Sequence, residues 1–426
     1  VSPVWDSTAE PLTAMTAPPV PDATHLPPAV AYAERTPTSP AAAAASLRVL
    51  LVDASDRGGI ARYTACLRAA LAAENVTVAL AAPPGVGDAD LALRGQRWGP
   101  DVARMSKARR YAMRLGELAP TTASLLRAVR RARPDVVHVQ TEVVPGLDPA
   151  VLALVSRRVP VVLTVHDPVP LEGGARAVAD QARRWRAADA LVIHGEEPRC
   201  FVEASAPGVP VHVVPVDLPL GGPSPSRAQA RHELGLPDAP TALLLGQVRP
   251  YKGIGLLARA WPQVVGALPG ARLLVVGQAY DSADLDRLEG TPGVEVRRGF
   301  VPEDDLDRWS AAADVLVLPY AVGSHSGVLH RGLAAGTPVL ASPPLAEEVY
   351  RTGAGAVVPL DPEAWAEALV AALGDRPLPP PSAPTGRGTA EGTVAVYREV
   401  IEARAQRGGS SDTGGADGAG QPLAAR

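Results

Sequence analysis

Short apolar runs recur along the chain at regular intervals: LRVLLVD (47–53), VTVALAA (76–82), VVHVQ (136–140), VPVVLTV (159–165), ALVIH (190–194) and VHVVPV (211–216). Amphipathic stretches such as ARYTACLRAALAAE (61–74) and ARAVADQARRWRAAD (175–189) lie between them. Near-continuous Val/Leu strands alternating with helices predict parallel sheets covered on both faces. After LPLGGPSPS (218–226) the alternation restarts with TALLLGQV (241–248), ARLLVVG (271–277), VEVRRG (294–299), DVLVLPY (314–320), TPVLAS (337–342) and AVVPL (356–360). The pattern therefore predicts two Rossmann-like, doubly wound α/β domains, 47–217 and 227–376. Pro-rich PLPPPSAP (377–384) leads to a last helix within 388–406. The Pro/Ala-rich segment 1–46 and the Gly-rich tail 407–426 bury too little apolar surface to offset chain entropy and are expected to be disordered. Two such domains facing each other leave a cleft at the carboxyl ends of their strands, where ligands of these sheets bind.

Composition narrows the function. The 426 residues favour more than one domain, and 46% hydrophobic with 20% charged residues suits a soluble protein with a large core. A net charge of −4 argues against nucleic-acid binding. Cys66 and Cys200 make no disulfide or metal framework. Without an 18-residue apolar run or a basic start followed by an apolar stretch, the expected location is the cytoplasm. The chemistry is narrowed too. Neither lysine is followed by Ser or Thr, which removes a Walker A loop. No GxGxxG follows a strand, no G-x-S-x-G elbow occurs, and the eight histidines are scattered, so no metal is expected.

Those two lysines, Lys107 and Lys252, stand among 41 Lys+Arg. Lys252 lies in GQVRPYKGIG (246–255), between a strand-like and a helix-like run. Arg249 offers a planar fork and Lys252 a compact point charge, three residues apart at a helix start that adds N–H groups. Gly253 and Gly255 let the backbone pass close to a ligand. Together they form a candidate diphosphate site, against the alternative of a solvated turn. A second candidate anion site is the loop-to-helix junction in PYAVGSHSGVLHRGLAAGTPVLAS (319–342), with Ser326 as hydroxyl donor and Gly327 for close approach.

The order of R-P-x-K-G at a helix start, RRGFVPEDDLDRWSAAADVLVLPY and SGVL…AAGTPVLAS resembles the retaining nucleotide-sugar glycosyltransferases of GT-B fold, family 4, over roughly residues 47–405. LRVLLVDASDRGGIARYTACL and VVLTVHDP fit the same pattern in the first half. The resemblance implies that Arg249 and Lys252 hold the donor diphosphate and that the backbone of Ser326, Gly327 and Val328 completes the cradle. Gly58 and Gly59 approach it, or the acceptor, from the other domain. His166 touches the transferred sugar, and Phe300 and Val301 border the base. The last helix crosses back onto the first domain with Tyr397 in its apolar face. Transfer with retention uses no metal or other cofactor, only a nucleoside diphosphate sugar as co-substrate. Where the family commonly has two glutamates eight residues apart, this chain has Gly323 and Arg331, and His325 or Ser326 is the expected substitute.

Asp167 beside His166 is a further candidate for a sugar or base contact, and Gln140, Thr141 and Glu142 are candidates for the acceptor side. His194, Glu196 and Glu197 end another strand, where Glu stabilises a helix dipole. The basic stretch 107–133 suggests either a solvated helix face or peripheral contact with anionic lipid at the inner membrane face. The acceptor, whether saccharide, lipid-linked glycan or small molecule, is open. The rival functions are a non-catalytic GT-B-like scaffold, favoured by Gly323 and Arg331, and an epimerase or phosphorylase of the same fold.

Overall fold

The computed structural model describes residues 46–55, 58–86, 88–94, 105–144, 147–168, 174–222, 224–278, 283–323 and 325–410. Apart from Ser46, the segment read as a disordered leader lies outside them, as does 411–426 of the tail. The first sheet is built from β1 (Arg48–Val52), α1 (Gly59–Ala73), β2 (Thr77–Ala82), β3 (Leu91–Ala92), α2 (Lys107–Ala132), β4 (Val136–Val139), α3 (Asp148–Ser156), β5 (Val161–Thr164), α4 (Gly174–Trp185), β6 (Ala190–Ile193), α5 (Arg199–Ser205) and β7 (Val211–Val213). Its seven strands are ordered β3-β2-β1-β4-β5-β6-β7, all parallel. Every residue of β4, β5 and β6 is buried, as a sheet covered on both faces requires.

The second sheet follows from α6 (Arg227–Leu234), β8 (Thr241–Leu245), α7 (Ile254–Ala267), β9 (Arg272–Gly277), α8 (Ala283–Glu289), β10 (Val294–Arg298), α9 (Glu303–Ala312), β11 (Val315–Leu318), α10 (Gly327–Ala335), β12 (Val339–Ala341), α11 (Ala346–Thr352), β13 (Gly355–Val357) and α12 (Pro362–Leu373). Its order is β10-β9-β8-β11-β12-β13, again parallel. Two parallel-sheet α/β domains of this kind make the GT-B architecture. The last helix, α13 (Arg387–Ser410), runs into the stretch expected to begin the disordered tail. Ala390, Val394, Tyr397 and Val400 of α13 share one core with Tyr63, Leu67 and Leu71 of α1 and with β1. Tyr397 is fully buried, and its hydroxyl lies 2.6 Å from Nδ1 of His138 on β4.

Two elements have no counterpart in the apolar pattern. β3 is a two-residue edge strand, too short to show a period. α2 spans 26 residues with Pro120 inside, and it coincides with the stretch read from its basic residues rather than from apolar spacing.

In both sheets the strand order reverses once, between β1 and β4 and between β8 and β11. The loops after those strands are where such sheets bind ligands. The two halves touch along that edge. The backbone N–H groups of Glu196 and Glu197 donate to the Glu347 carboxylate at 2.8 and 3.1 Å. Near the linker, Arg351 donates to the carbonyl of Val216 and the Gly222 N–H donates to Asp307.

Candidate active site

At the second switch point β8 ends at Leu245, Gly246 and Arg249 follow, and a short 3-10 turn spans Pro250–Lys252. Lys252 is buried. Its ammonium donates to Leu245 O at 3.3 Å, lies 5.1 Å from the centroid of the Tyr320 ring, and would stand 3.3 Å from a Cβ on Gly246. One of its three donors is thus committed to the strand end. Gly253 caps α7 with φ 74°, and a Cβ there would overlap the carbonyl oxygen of Pro319. Only glycine lets the two switch-point loops lie this close. Arg249 is half-buried, and its Nε donates to Gln247 Oε1.

The other flank of this switch point is the start of α10. Ser326 is its N-cap, and its Oγ accepts from Leu329 N–H and lies 3.3 Å from Tyr320 Oη. The Ser326 N–H donates to a buried carboxylate of Glu348, 2.9 Å away, and Glu348 also accepts from His330 Nε2 at 2.6 Å. Burial pushes Glu348 up, but the charge and hydrogen bond of His330, with His325 and Arg351 nearby, outweigh it and hold the carboxyl below its ordinary value. The N–H groups of Gly327 and Val328 belong to the open first turn of the helix, where anions are favoured.

Facing this from the first sheet is a set of uncharged rings. His166 follows β5, His194 follows β6 and Tyr63 comes from α1. Tyr63 and His166 centroids are 4.9 Å apart, Tyr63 and His194 5.1 Å, and His166 and His194 5.4 Å. His325, from the loop before α10, meets His194 edge-on at 5.7 Å across the two halves. Burial, then the neighbouring histidines, holds His166 well below its ordinary pKa, and the same causes bring His194 to about 3. Both are neutral hydrogen-bonding groups at physiological pH. His166 Nε2 lies 3.2 Å from Gln140 Oε1. Behind them Asp53 ties the first switch point together, accepting from Ser55 N–H, Ser55 Oγ, Thr64 Oγ1 and Thr141 Oγ1.

Residues 57–231 match the family model described as Glycosyltransferase Family 4, and residues 239–375 the one described as Glycosyl transferases group 1. The chain is 30% identical over 352 residues to a D-inositol 3-phosphate glycosyltransferase of Kineococcus radiotolerans, covering 69% of this chain and 79% of that protein. The chain belongs to glycosyltransferase family 4. A phosphatidyl-myo-inositol mannosyltransferase of Mycobacterium tuberculosis is 32% identical over 295 residues, 62% of this chain and 69% of that one. Among solved structures, sucrose-phosphate synthase from Thermosynechococcus elongatus (TM-score 0.58, 20% identity, 85% of this chain, 98% of that one) shares the fold. So does Anabaena HepE in complex with UDP-glucose (TM-score 0.58, 18% identity, 84% and 100%).

In this glycosyltransferase several expected site residues have other engagements. Ser326 cannot offer its N–H to a ligand while Glu348 holds it, so the α10 cradle reduces to Gly327 and Val328. Arg331, in a position where the family commonly has a glutamate, is buried and ion-paired with Asp307 at 2.5 Å and with Glu303. Gly323 has φ 143° and carries no side chain. Gly58, with φ 91°, is the N-cap of α1, and Gly59 opens that helix. Neither has an atom within 4 Å of its would-be Cβ. Phe300 is 69% exposed, while Val301 is half-buried against the second core. Asp167 is exposed, and its backbone carbonyl accepts from Gln181.

Thr141, a candidate on the acceptor side, is instead part of the Asp53 network and also accepts from Ala54 N–H. Burial and then the Asp148 charge raise the Glu142 pKa. On α2, Arg114 does not belong to an exposed basic face, because it is buried against Glu117 at 2.7 Å; Arg109, Arg127, Arg130, Arg131 and Arg133 are exposed. Among the described residues, no helix is long and apolar enough to cross a membrane, and no group of three or more His, Cys, Asp or Glu is placed to hold a metal ion.

Several contributors escaped sequence reasoning, Tyr63 and Asp53 among them. Glu348 and His330 lie 18 residues apart on different helices, and Glu347 reaches backbone rather than a side-chain partner. No local spacing marks them. A cavity of about 850 Å³ elsewhere is lined by Arg227, Arg231 and Asp314, but its arginines are already paired with Asp314 and Asp238. It is remote from both switch points and contributes nothing to the site.

Proposed function

We propose that this glycosyltransferase moves a sugar from a nucleoside diphosphate sugar to an acceptor hydroxyl with retention of anomeric configuration. The observation that supports it most is one juxtaposition: Lys252, Arg249 and the open first turn of α10 on one edge, and the neutral His166–His194 pair facing it, with His325 of the α10 loop against His194. In this reading Lys252, Arg249 and the N–H groups of Gly327 and Val328 meet the negative charge that grows on the diphosphate as the anomeric C–O bond breaks. The acceptor oxygen bonds to the anomeric carbon on the same face, and its proton passes to the departing phosphate oxygen. Protein residues supply charge and position, with no metal and no covalent nucleophile. His166, neutral, hydrogen-bonds the transferred sugar. The relatives named above, a D-inositol 3-phosphate glycosyltransferase and a phosphatidyl-myo-inositol mannosyltransferase, favour a polyhydroxylated acceptor, and the exposed arginines of α2 suit one held at an anionic lipid surface.

The test is turnover of UDP-, GDP-, ADP- and dTDP-sugars by the unsubstituted protein, Lys252→Ala and Arg249→Ala. Charge-assisted contacts are worth roughly 1.5–3 kcal/mol, so each substitution lowers kcat/KM by about 10- to 150-fold on the donor that is used. A second reading, a non-catalytic scaffold, has a specific observation in its favour: no carboxylate stands at 323 or 331, and Arg331 is locked in ion pairs. Absence of turnover and of binding for every donor, by a folded protein, selects it.

A further inference from the structure

His194 is held in one tautomer by the backbone. Its Nδ1 lies 3.0 Å from the carbonyl of Val214, and a carbonyl only accepts, so Nδ1 carries the hydrogen. Burial, then the charge of His325, keeps the imidazole neutral. Nε2 therefore presents a lone pair, and it is buried without a hydrogen-bond partner. Two donors share its surroundings in the same condition: the Tyr63 hydroxyl and the Gln140 Nε2 amide, on residues 4% and 2% exposed. Tyr63 and His194 rings are 5.1 Å apart, and Gln140 is bonded to His166, whose ring is 5.4 Å from that of His194. Buried polar atoms are rarely left unmet in a native site, and here an acceptor and two donors are unmet together.

A hydroxyl is the group that answers this set, because it accepts from Tyr63 or Gln140 while donating to His194. A phosphate oxygen only accepts and would be repelled by the lone pair. His325 covers His194 from the other half, next to Ser326, whose hydroxyl meets Tyr320, over which Lys252 sits. A chain of contacts thus links the His194 ring to the diphosphate side of the crevice. We infer that His194 is a specificity contact of the transfer reaction, its Nε2 accepting a hydrogen bond from a ring hydroxyl of the transferred sugar. This rests on the donor reading above and adds a residue to it.

Two substitutions separate the two nitrogens. His194→Asn keeps an N–H near the Nδ1 position for Val214 and removes Nε2. His194→Gln restores an amide oxygen near Nε2 and gives up the Val214 bond. Calorimetric titration compares UDP, GDP, ADP and dTDP with their glucose or mannose esters, and melting curves establish that both variants fold. The expected result is that His194→Asn weakens the sugar nucleotide about tenfold. It leaves the bare nucleotide within about twofold, and His194→Gln recovers most of the loss. Equal weakening of both ligands, or a larger defect in His194→Gln than in His194→Asn, means that only the Val214 bond matters and overturns the inference. Unchanged donor binding in both variants overturns it as well. If Lys252→Ala weakens both ligands while the His194 variants do not, only this inference falls. If the unsubstituted protein binds no member of the panel, the donor reading and this one fall together.

Discussion

Acidification should weaken the first domain through His138, by an amount the structure permits one to work out. The ring is fully buried in β4, with Tyr397 Oη 2.6 Å from Nδ1 and Thr164 Oγ1 2.7 Å from Nε2. Burial first, and the charge of His194 second, lower its pKa from 6.5 to about 3. Above pH 6.5 neither the folded nor the unfolded chain protonates this group, and its full stability is present. As pH falls below 6.5 the unfolded chain takes up a proton that the folded one refuses, and stability drops until the folded ring protonates near pH 3. At pH 5 the gap is 1.5 units, or about 2 kcal/mol at 1.36 kcal/mol per unit. Urea unfolding at pH 7 and pH 5, followed by fluorescence of Trp185, buried in the same domain, measures it. His138→Gln is expected to be less stable at pH 7 by roughly 1–3 kcal/mol, since Tyr397 and Thr164 lose a partner. Its further loss at pH 5 is smaller than the parent's by about 2 kcal/mol. Asp148 and Glu142, whose raised pKa values act in the opposite direction, cancel in this comparison. An identical pH 7-to-5 loss in both proteins would refute the assignment of a neutral, proton-refusing His138.

Three other perturbations follow from the crevice. Gly253→Ala forces a Cβ onto the Pro319 carbonyl at φ 74°; a melting-temperature drop equivalent to at least about 2 kcal/mol, with loss of donor binding, is expected. Glu347→Gln replaces the carboxylate that accepts from Glu196 and Glu197 across the two halves. It should shift them toward a more open arrangement by roughly 1 kcal/mol, read as a larger radius of gyration in solution scattering, and an unchanged profile would count against a latch. Arg331→Glu reinstates a carboxylate where the family commonly has one, yet here it would face Asp307 and Glu303 without the guanidinium that now pairs them. Destabilisation by about 3–5 kcal/mol is expected, and an active, equally stable variant would refute the structural role given to Arg331.

The architecture was legible because a parallel sheet buried on both faces leaves short, nearly continuous apolar runs, as in β6 and β11. The turn carrying Arg249 and Lys252 was legible for a different reason, since charge and glycine cluster in one short segment. Contacts made across the fold left no such trace. His138 reads as one more residue of an apolar strand, and nothing in VVHVQ announces a partner at Tyr397, 259 residues away. Glu347 and Glu348 are adjacent and chemically identical, but one grips the opposite half and the other is buried beneath α10. Only tertiary packing separates them.

That packing also accounts for what replaces the two glutamates. Position 331 lies on the face of α10 turned toward α9, where Asp307 already accepts from the linker N–H of Gly222. An arginine there joins the linker and α9 to α10, so charge at this position serves the connection between the two domains. The carboxylate missing from position 323 has a counterpart at the same helix start, since Glu348 accepts from the Ser326 N–H, but it comes from α11 and is closed off by His330. A negative group so placed satisfies one N–H of the open turn and leaves the next two for an incoming anion. Under the function proposed above, the acidic group thus lies beneath the crevice and not at its rim, and hydroxyl recognition at the rim would fall to neutral groups such as His166 and His194. An enzyme built this way should show no limb belonging to His166 or His194 between pH 6 and 7.5, so that the pH profile of donor binding over that window is the same in the parent and in His194→Gln, because both rings stay neutral well below it.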